Sequence, residues 1–163
     1  MDARIAGVCE RDLDLLLLEE LQASETFQVW LVKAAFGGGT DWGRCIEARR
    51  SVADSTGESD LEVLFAGSPG GVTALLIENK VDAGLQPRQA ERYRERGLAR
   101  VAAGRGQTFR TMLVAPARYF GPGSSTQGFD GCLTYEQILG WFEGAVHLGD
   151  RRFYKMTLLR SAI

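Results

Sequence analysis

LLIENKVDAG, residues 75–84, is the stretch on which the fold turns. An apolar run, Ala74 to Ile77, stops abruptly in Glu78-Asn79-Lys80. Alternate side chains of a strand share a face, so Glu78 and Lys80 project on one side and Ile77 and Asn79 on the other. Upstream lie a second apolar run, Leu61 to Ala66, and the turn sequence Gly67-Ser68-Pro69-Gly70-Gly71. Two such runs joined by such a turn read as a hairpin. Folding it about Pro69 sets Asp60 opposite Glu78, Glu62 opposite Leu76 and Leu64 opposite Ala74. The other face then carries Leu61 with Ile77, Val63 with Leu75 and Phe65 with Thr73, which is core.

Asp60 and Glu78 thereby become cross-strand neighbours, with Cβ atoms about 5 Å apart. Like charges at that spacing destabilise a sheet unless something positive sits between them. A hard divalent cation with oxygen ligands suits the position, Mg²⁺ (or Mn²⁺) where phosphate is the substrate. The peptide carbonyl of Asn79 is a third candidate ligand. Lys80, one pleat beyond Glu78, can orient a nucleophile and stabilise charge developing on phosphorus. The competing reading is a solvated ion pair at a strand end. Glu-x-Lys alone is a weak pattern, and Asp60 at the facing position is what strengthens it.

Composition bounds the rest. A chain of 163 residues has room for one well-formed core, and 45% hydrophobic with 25% charged residues is ordinary for a soluble protein. The Leu15–Leu18 run is too short to span a membrane and is flanked by acids, and the N-terminus lacks a basic signal segment. Cys9, Cys45 and Cys132 are odd in number and far apart, which reads as reduced thiols in a cytoplasmic protein. A net charge of −2 argues against non-specific binding of nucleic acid over the whole surface. Acids crowd the first third, whereas arginines dominate from Arg88 to Arg118. An acidic site beside a basic flank suits a polyanion approached through bound cations, although a wet helix face also carries arginine.

Helical spacing runs from Asp12 to about Phe36, as two helices if Ser24 caps a new one, or as one bent helix. Strands are expected over Arg44–Val52, Leu61–Ala66, Val72–Lys80 and Thr108–Ala115, with the turn Asp54-Ser55-Thr56-Gly57 between the first two. A polar helix begins near Pro87 and runs to about Ala103. Helices are also expected over Tyr135–His147 and Arg151–Ile163. A hairpin and a crossover helix in one sheet imply a mixed α/β sheet with helices on its faces.

Asp60, then Glu78-x-Lys80, then a polar helix resembles the PD-(D/E)XK nuclease superfamily. Gln89-Ala-Glu-Arg-Tyr93 is similar to the QxxxY helix motif of its recombination-nuclease branch. IENKVDAGLQPRQAERY is similar to bacterial members reading ENK-x-D/N-A, and ERDLDLLLLEEL to their first helix. No Pro precedes Asp60, a departure common in the superfamily. The resemblance covers most of Glu10–Ala115. It implies a restriction-endonuclease-like αβββαβ core, with a mixed four-stranded sheet flanked by helices. A single domain of residues 1–163 follows, its core about 10–118 and a helical extension about 133–163. It implies Asp60 and Glu78 as metal ligands, Lys80 as the catalytic lysine, and Gln89 and Tyr93 as residues that contact phosphate or buttress the site. An acid from the first helix often joins such sites, and Glu20 or Glu19 is the candidate here. Arg88, Arg92 and Arg96 are the candidates for flanking phosphates.

Other features carry less. His147 is the lone histidine and reads as a helix-end or surface residue. Gly37-Gly38-Gly39 follows a helix and lacks the lysine of a P-loop. Trp30 and Trp141 have core spacing, while Trp42, among glycines, is the aromatic expected to be exposed. Gly121–Ser125 reads as a loop. The expectation is a Mg²⁺-dependent nuclease, an endonuclease acting on DNA in defence against foreign DNA or in repair. Cleavage of both strands with one site per chain favours a homodimer. The alternatives are a non-catalytic nucleic-acid-binding or scaffold domain, an RNase on the same fold, and a protein-interaction domain.

Overall fold

Leu13, Leu16, Leu17 and Leu21 recur at helical spacing and are buried, which draws α1 (Glu10–Ala23) onto the sheet. The computed structural model describes residues 5–39, 41–67, 70–121 and 127–163. Ser24 separates α1 from α2 (Glu25–Phe36), and its hydroxyl accepts from the Phe27 amide at 3.2 Å, so there are two helices. Then come β1 (Arg44–Asp54), β2 (Gly57–Ala66), β3 (Val72–Asn79), α3 (Gln89–Ala102), β4 (Thr108–Ala115), β5 (Gly131–Thr134), α4 (Tyr135–Gly144) and α5 (Arg151–Ala162). His147 lies exposed in a short 3₁₀ turn, Val146–Leu148, with its ring edge-on to Trp141. No helix among the described residues is long and apolar enough to cross a membrane.

The sheet is mixed and its order is β1-β2-β3-β4-β5, antiparallel through β3 and parallel from β3 to β5. It has five strands where the sequence predicts four. β5 is only four residues long, too short for a two-residue period to be read, and its last residue, Thr134, also caps α4. β2 begins at Gly57, upstream of the expected Leu61, because a two-residue turn pairs Asp54 with Gly57. The β2–β3 register is the predicted one, from Ala66 opposite Val72 to Leu61 opposite Ile77. Ser68 and Pro69 of the turn, and most of the Gly121–Ser125 loop, lie outside the described residues.

Alternation along the strands sends side chains into two cores. Leu61, Val63, Phe65, Leu75, Ile77, Met112 and Val114 meet α1, α2, α4 and α5 on one face. Ala74, Leu76, Leu113 and Ala115 meet Tyr93 of α3, with Phe120 and Phe129, on the other. Trp30 and Trp141 pack beside Phe27 and Phe142 on the larger core. Trp42 is buried, not exposed as its glycine-rich flanks suggest: its ring lies 4.8 Å from Phe36 and 5.7 Å from Phe65. A large aromatic beside an apolar sheet face gains more from that contact than from water.

Candidate active site

The ends of β2 and β3 open into a cleft of about 410 Å³ between α1, on one sheet face, and α3, on the other. Asp60, Glu78, Lys80 and Gln89, separated by up to 29 positions in sequence, all line it. Glu78 and Lys80 share a face as strand alternation requires, and Lys80 Nζ lies 2.8 Å from Glu78 Oε1. Both side chains are nearly buried, so the pair is not the solvated strand end that the sequence left open.

Asp60 does not simply face Glu78 across the ladder. Its Oδ2 accepts the Asn79 amide at 2.8 Å. The Tyr93 hydroxyl enters between the strands, accepting from the Asp60 amide and donating to the Ile77 carbonyl, both at 3.2 Å. Tyr93 thus bridges the backbone where β2 and β3 part and keeps its polar groups satisfied. Gln89, four residues earlier on the same helix face, donates its amide to Glu78 Oε1 and accepts from the Gln86 amide. Two residues of one helix therefore hold both strands: Tyr93 through the main chain, Gln89 through the carboxylate.

Electrostatics follow from this crowding. Burial, and then the neighbouring Glu78 carboxylate, push the Asp60 carboxyl up to about 7, against the hydrogen bond from Asn79. Burial opposes the Lys80 charge, but its hydrogen bond to Glu78 and the surrounding carboxylates outweigh this and hold the ammonium above its ordinary value. Burial and the charges of Glu78 and Asp60 raise Tyr93 well above a free phenol, so it stays a neutral donor.

The helix acids at the cleft are not the expected ones. Glu20 is buried elsewhere, with its Oε1 2.8 Å from Lys155 Nζ, and Glu19 pairs with Lys155 and Arg151. Lys155 comes from α5, so no signal local to α1 could have assigned these partners. Glu10 and Asp14, one turn apart at the start of α1, occupy the cleft instead. Glu10 Oε1 lies 3.8 Å from Lys80 Nζ. Asp14 Oδ1 accepts the Asn79 side-chain amide at 2.9 Å, and the Tyr135 hydroxyl donates to Asn79 Oδ1. Burial pushes the Asp14 carboxyl up to about 6, against that hydrogen bond. A signal existed: Asp14 continues the buried Leu17–Leu21 stripe toward the N-terminus, which places an acid on the inner face of α1.

Of the three arginines singled out from sequence, Arg92 and Arg96 line the cleft. Arg96 is 2% exposed, lies 4.2 Å over the Tyr93 ring and donates to the Glu58 carbonyl, so it forms wall. Arg88 is turned away and paired with Glu91 and Glu95. The sequence reading missed Arg11, Arg50 and Ser51, which complete the lining on the α1 side. Ser51 holds a left-handed backbone, φ 52°, within β1. Such a conformation costs a non-glycine residue about 1 kcal/mol or more and recurs where a site constrains the chain.

Among the described residues, no group of three or more His, Cys, Asp or Glu side chains is drawn together as a ready metal centre. All three cysteines are free. The cleft offers instead Asp60 and Glu78, carboxylates from adjacent strands, with one ammonium beside them.

No family model matches this sequence, and no curated protein matches it. Among solved structures, the chain is similar to the small subunit of the heterodimeric restriction endonuclease R.BspD6I. Identity is 13% over 93% of this chain and 90% of that chain, with a TM-score of 0.36. A likeness of that degree carries no argument about activity.

Proposed function

We propose that this protein is a metal-dependent nuclease that hydrolyses phosphodiester bonds, with DNA as its substrate. The observation that carries the reading is the meeting of Asp60, Glu78 and Lys80 in one cleft, with Glu78 held by Lys80 and by Gln89. A cleft-lining carboxyl, here Asp60, whose pKa is raised by burial and by a neighbouring carboxylate is a recurrent sign of a functional site.

The residues present fit a hard divalent cation. Asp60 and Glu78 come together in the cleft, and burial with the Glu78 charge makes the Asp60 carboxylate costly to ionise unless a cation joins it. Mg²⁺ typically takes one or two carboxylates and keeps several waters, so two protein carboxylates suffice. Asp60 and Glu78 would hold it, joined by the Asn79 carbonyl. A divalent cation there supplies Lewis-acid polarisation of a phosphate and acidifies a bound water.

The protein's own groups do the rest. Lys80 holds its proton firmly beside Glu78, so it serves as a donor and a point charge, not as a base. Its ammonium orients a water and stabilises charge on the phosphoryl oxygens. Gln89 fixes the Glu78 carboxylate, and Tyr93 fixes the backbone that carries Asp60. Arg92, at the rim, attracts flanking phosphates. Defence against foreign DNA or DNA repair is the setting we attach to this chemistry.

The test is cleavage of linear and circular DNA and of RNA in Mg²⁺, Mn²⁺ or EDTA, with Lys80→Ala beside the wild type. We expect metal-dependent cutting of DNA that falls at least about 100-fold in the variant, with folding intact by circular dichroism. Cutting retained in Lys80→Ala removes the role given to Lys80. No cutting by the wild type with any metal or substrate overturns the nuclease reading in favour of a binding domain.

A further inference from the structure

The arginines of this protein divide by partner. Arg88, Arg94, Arg100, Arg105, Arg118 and Arg151 each hold a carboxylate. Those on the rim of the cleft differ. Arg92 donates to the Pro87 carbonyl at 3.0 Å and to Gln86 Oε1 at 2.9 Å, and among the described residues no carboxylate lies within ion-pair distance of it or of Arg11. Arg50, which also lines the cleft, reaches Asp14 at only 3.9 Å. Arg44, Arg96, Arg110 and Arg152 also lack a carboxylate partner among the described residues, but of these only Arg96 lines the cleft, and it is buried in the wall. Arg11 and Arg92 are set apart by standing beside Asp60 and Glu78 with no carboxylate holding them.

Their placement supplies the reason. Arg11 rides on α1, which packs on the sheet face of Leu61 and Ile77, and Arg92 rides on α3, which packs on the face of Ala74 and Leu76. They flank the same cleft from opposite faces of the sheet, with Asp60 and Glu78 at the strand ends between them. A single small anion meets one guanidinium or the other; a chain of phosphates engages both. Guanidinium is also the side chain best matched to phosphate oxygens.

We infer that Arg11 and Arg92 form a two-sided clamp on a phosphodiester backbone, each holding a phosphate on one side of the unit that faces Asp60 and Glu78. This rests on the nuclease reading, and it adds a binding residue on α1, away from the arginine-rich helix where the sequence concentrates them. The strand then crosses the end of the sheet from α1 to α3 and does not run along α3 alone.

The clamp is read by binding, independently of turnover. The titration follows fluorescence anisotropy of a labelled DNA duplex of about 20 base pairs in Ca²⁺ at several salt concentrations, with DNA integrity checked on gels. Each phosphate contact contributes about −0.9 to the slope of log Kobs against log salt. Arg11→Gln and Arg92→Gln should each flatten the slope by about 0.9 and weaken binding about eight-fold at about 0.1 M salt, and the double variant by twice that slope. Arg88→Gln and Arg94→Gln, whose guanidiniums are already paired, should leave the slope unchanged. Arg11, Arg88 and Arg94 are exposed, so their variants should keep the wild-type thermal midpoint. Arg92 is half-buried and bonded to Pro87 and Gln86, so the midpoint of Arg92→Gln is measured alongside to separate lost binding from lost stability. Wild-type binding with a slope unmoved by Arg11→Gln overturns the clamp and leaves the nuclease reading standing. No salt-dependent binding by the wild type overturns both.

Discussion

Asp60→Asn tests the electrostatics of the cleft while keeping the size and shape of the side chain. In the wild type the folded-state pKa of Asp60 is raised from 3.8 to about 7 by burial and by Glu78. The native protein therefore binds a proton that the unfolded chain releases. The resulting cost to stability is absent below about pH 4, grows as pH rises, and is complete above about pH 7. Three pKa units at about 1.4 kcal/mol each set a ceiling near 4 kcal/mol. Water that reaches the cleft screens part of this, so about 2 kcal/mol is the expected difference. Asparagine does not ionise, and its carbonyl oxygen can still accept the Asn79 amide that Asp60 Oδ2 now accepts. Urea unfolding in EDTA at pH 5 and pH 8, followed by circular dichroism, should show a difference at pH 5 only about a third of that at pH 8. At pH 8 the variant should be more stable by about 2 kcal/mol. Asp14, also raised, is common to both proteins and largely cancels in the difference. Saturating Mg²⁺ should then stabilise the wild type and not the variant, since a ligand bound only by the native state adds to its stability. A variant less stable than the wild type at pH 8 in EDTA would refute the argument, because it would mean that the ionised carboxylate is favoured where it sits.

Two further changes probe the packing that holds the cleft. Lys155→Met removes the partner of the buried Glu20 and should destabilise the fold by about 3 kcal/mol, measured by urea unfolding. Gly97→Ala lies in the interior of α3, where alanine ordinarily stabilises by up to about 1 kcal/mol. Here the added Cβ would stand 2.1 Å from the Phe109 ring, so the sign inverts and a loss of about 1–3 kcal/mol is expected in thermal or urea unfolding.

Much of the fold was legible because it rests on short-range periodicity. Leu61 to Phe65 and Leu75 to Ile77, with a glycine-rich turn between them, admit one register that buries both apolar faces, and that register is found. A slip of either strand by one residue would turn its own acid, Glu78 or Asp60, toward the larger core. Glu78 and Lys80 share a face for the same reason, and Gln89 and Tyr93 share one through the helical repeat. β5 escaped because four residues carry no period. The burial of Trp42 escaped because its partners, Phe36 and Phe65, lie on other elements.

The site divides along the same line. Sequence alone determined the strand-borne pair Glu78–Lys80, the facing strand of Asp60 and the helix that carries Gln89 and Tyr93, since each follows from which way a side chain points along its own element. Only the tertiary structure decided which acids of α1 reach the cleft. Glu10 and Asp14 point to Lys80 and Asn79, while Glu19 and Glu20 are taken by Lys155 of α5. It likewise decided that Arg88 is neutralised while Arg11, far away in the chain, faces the cleft opposite Arg92. Direction along a helix or strand is a local property of the backbone. Which charge meets which is set by the packing of elements distant in sequence, and burial then makes an unpartnered charge too costly for that choice to remain open.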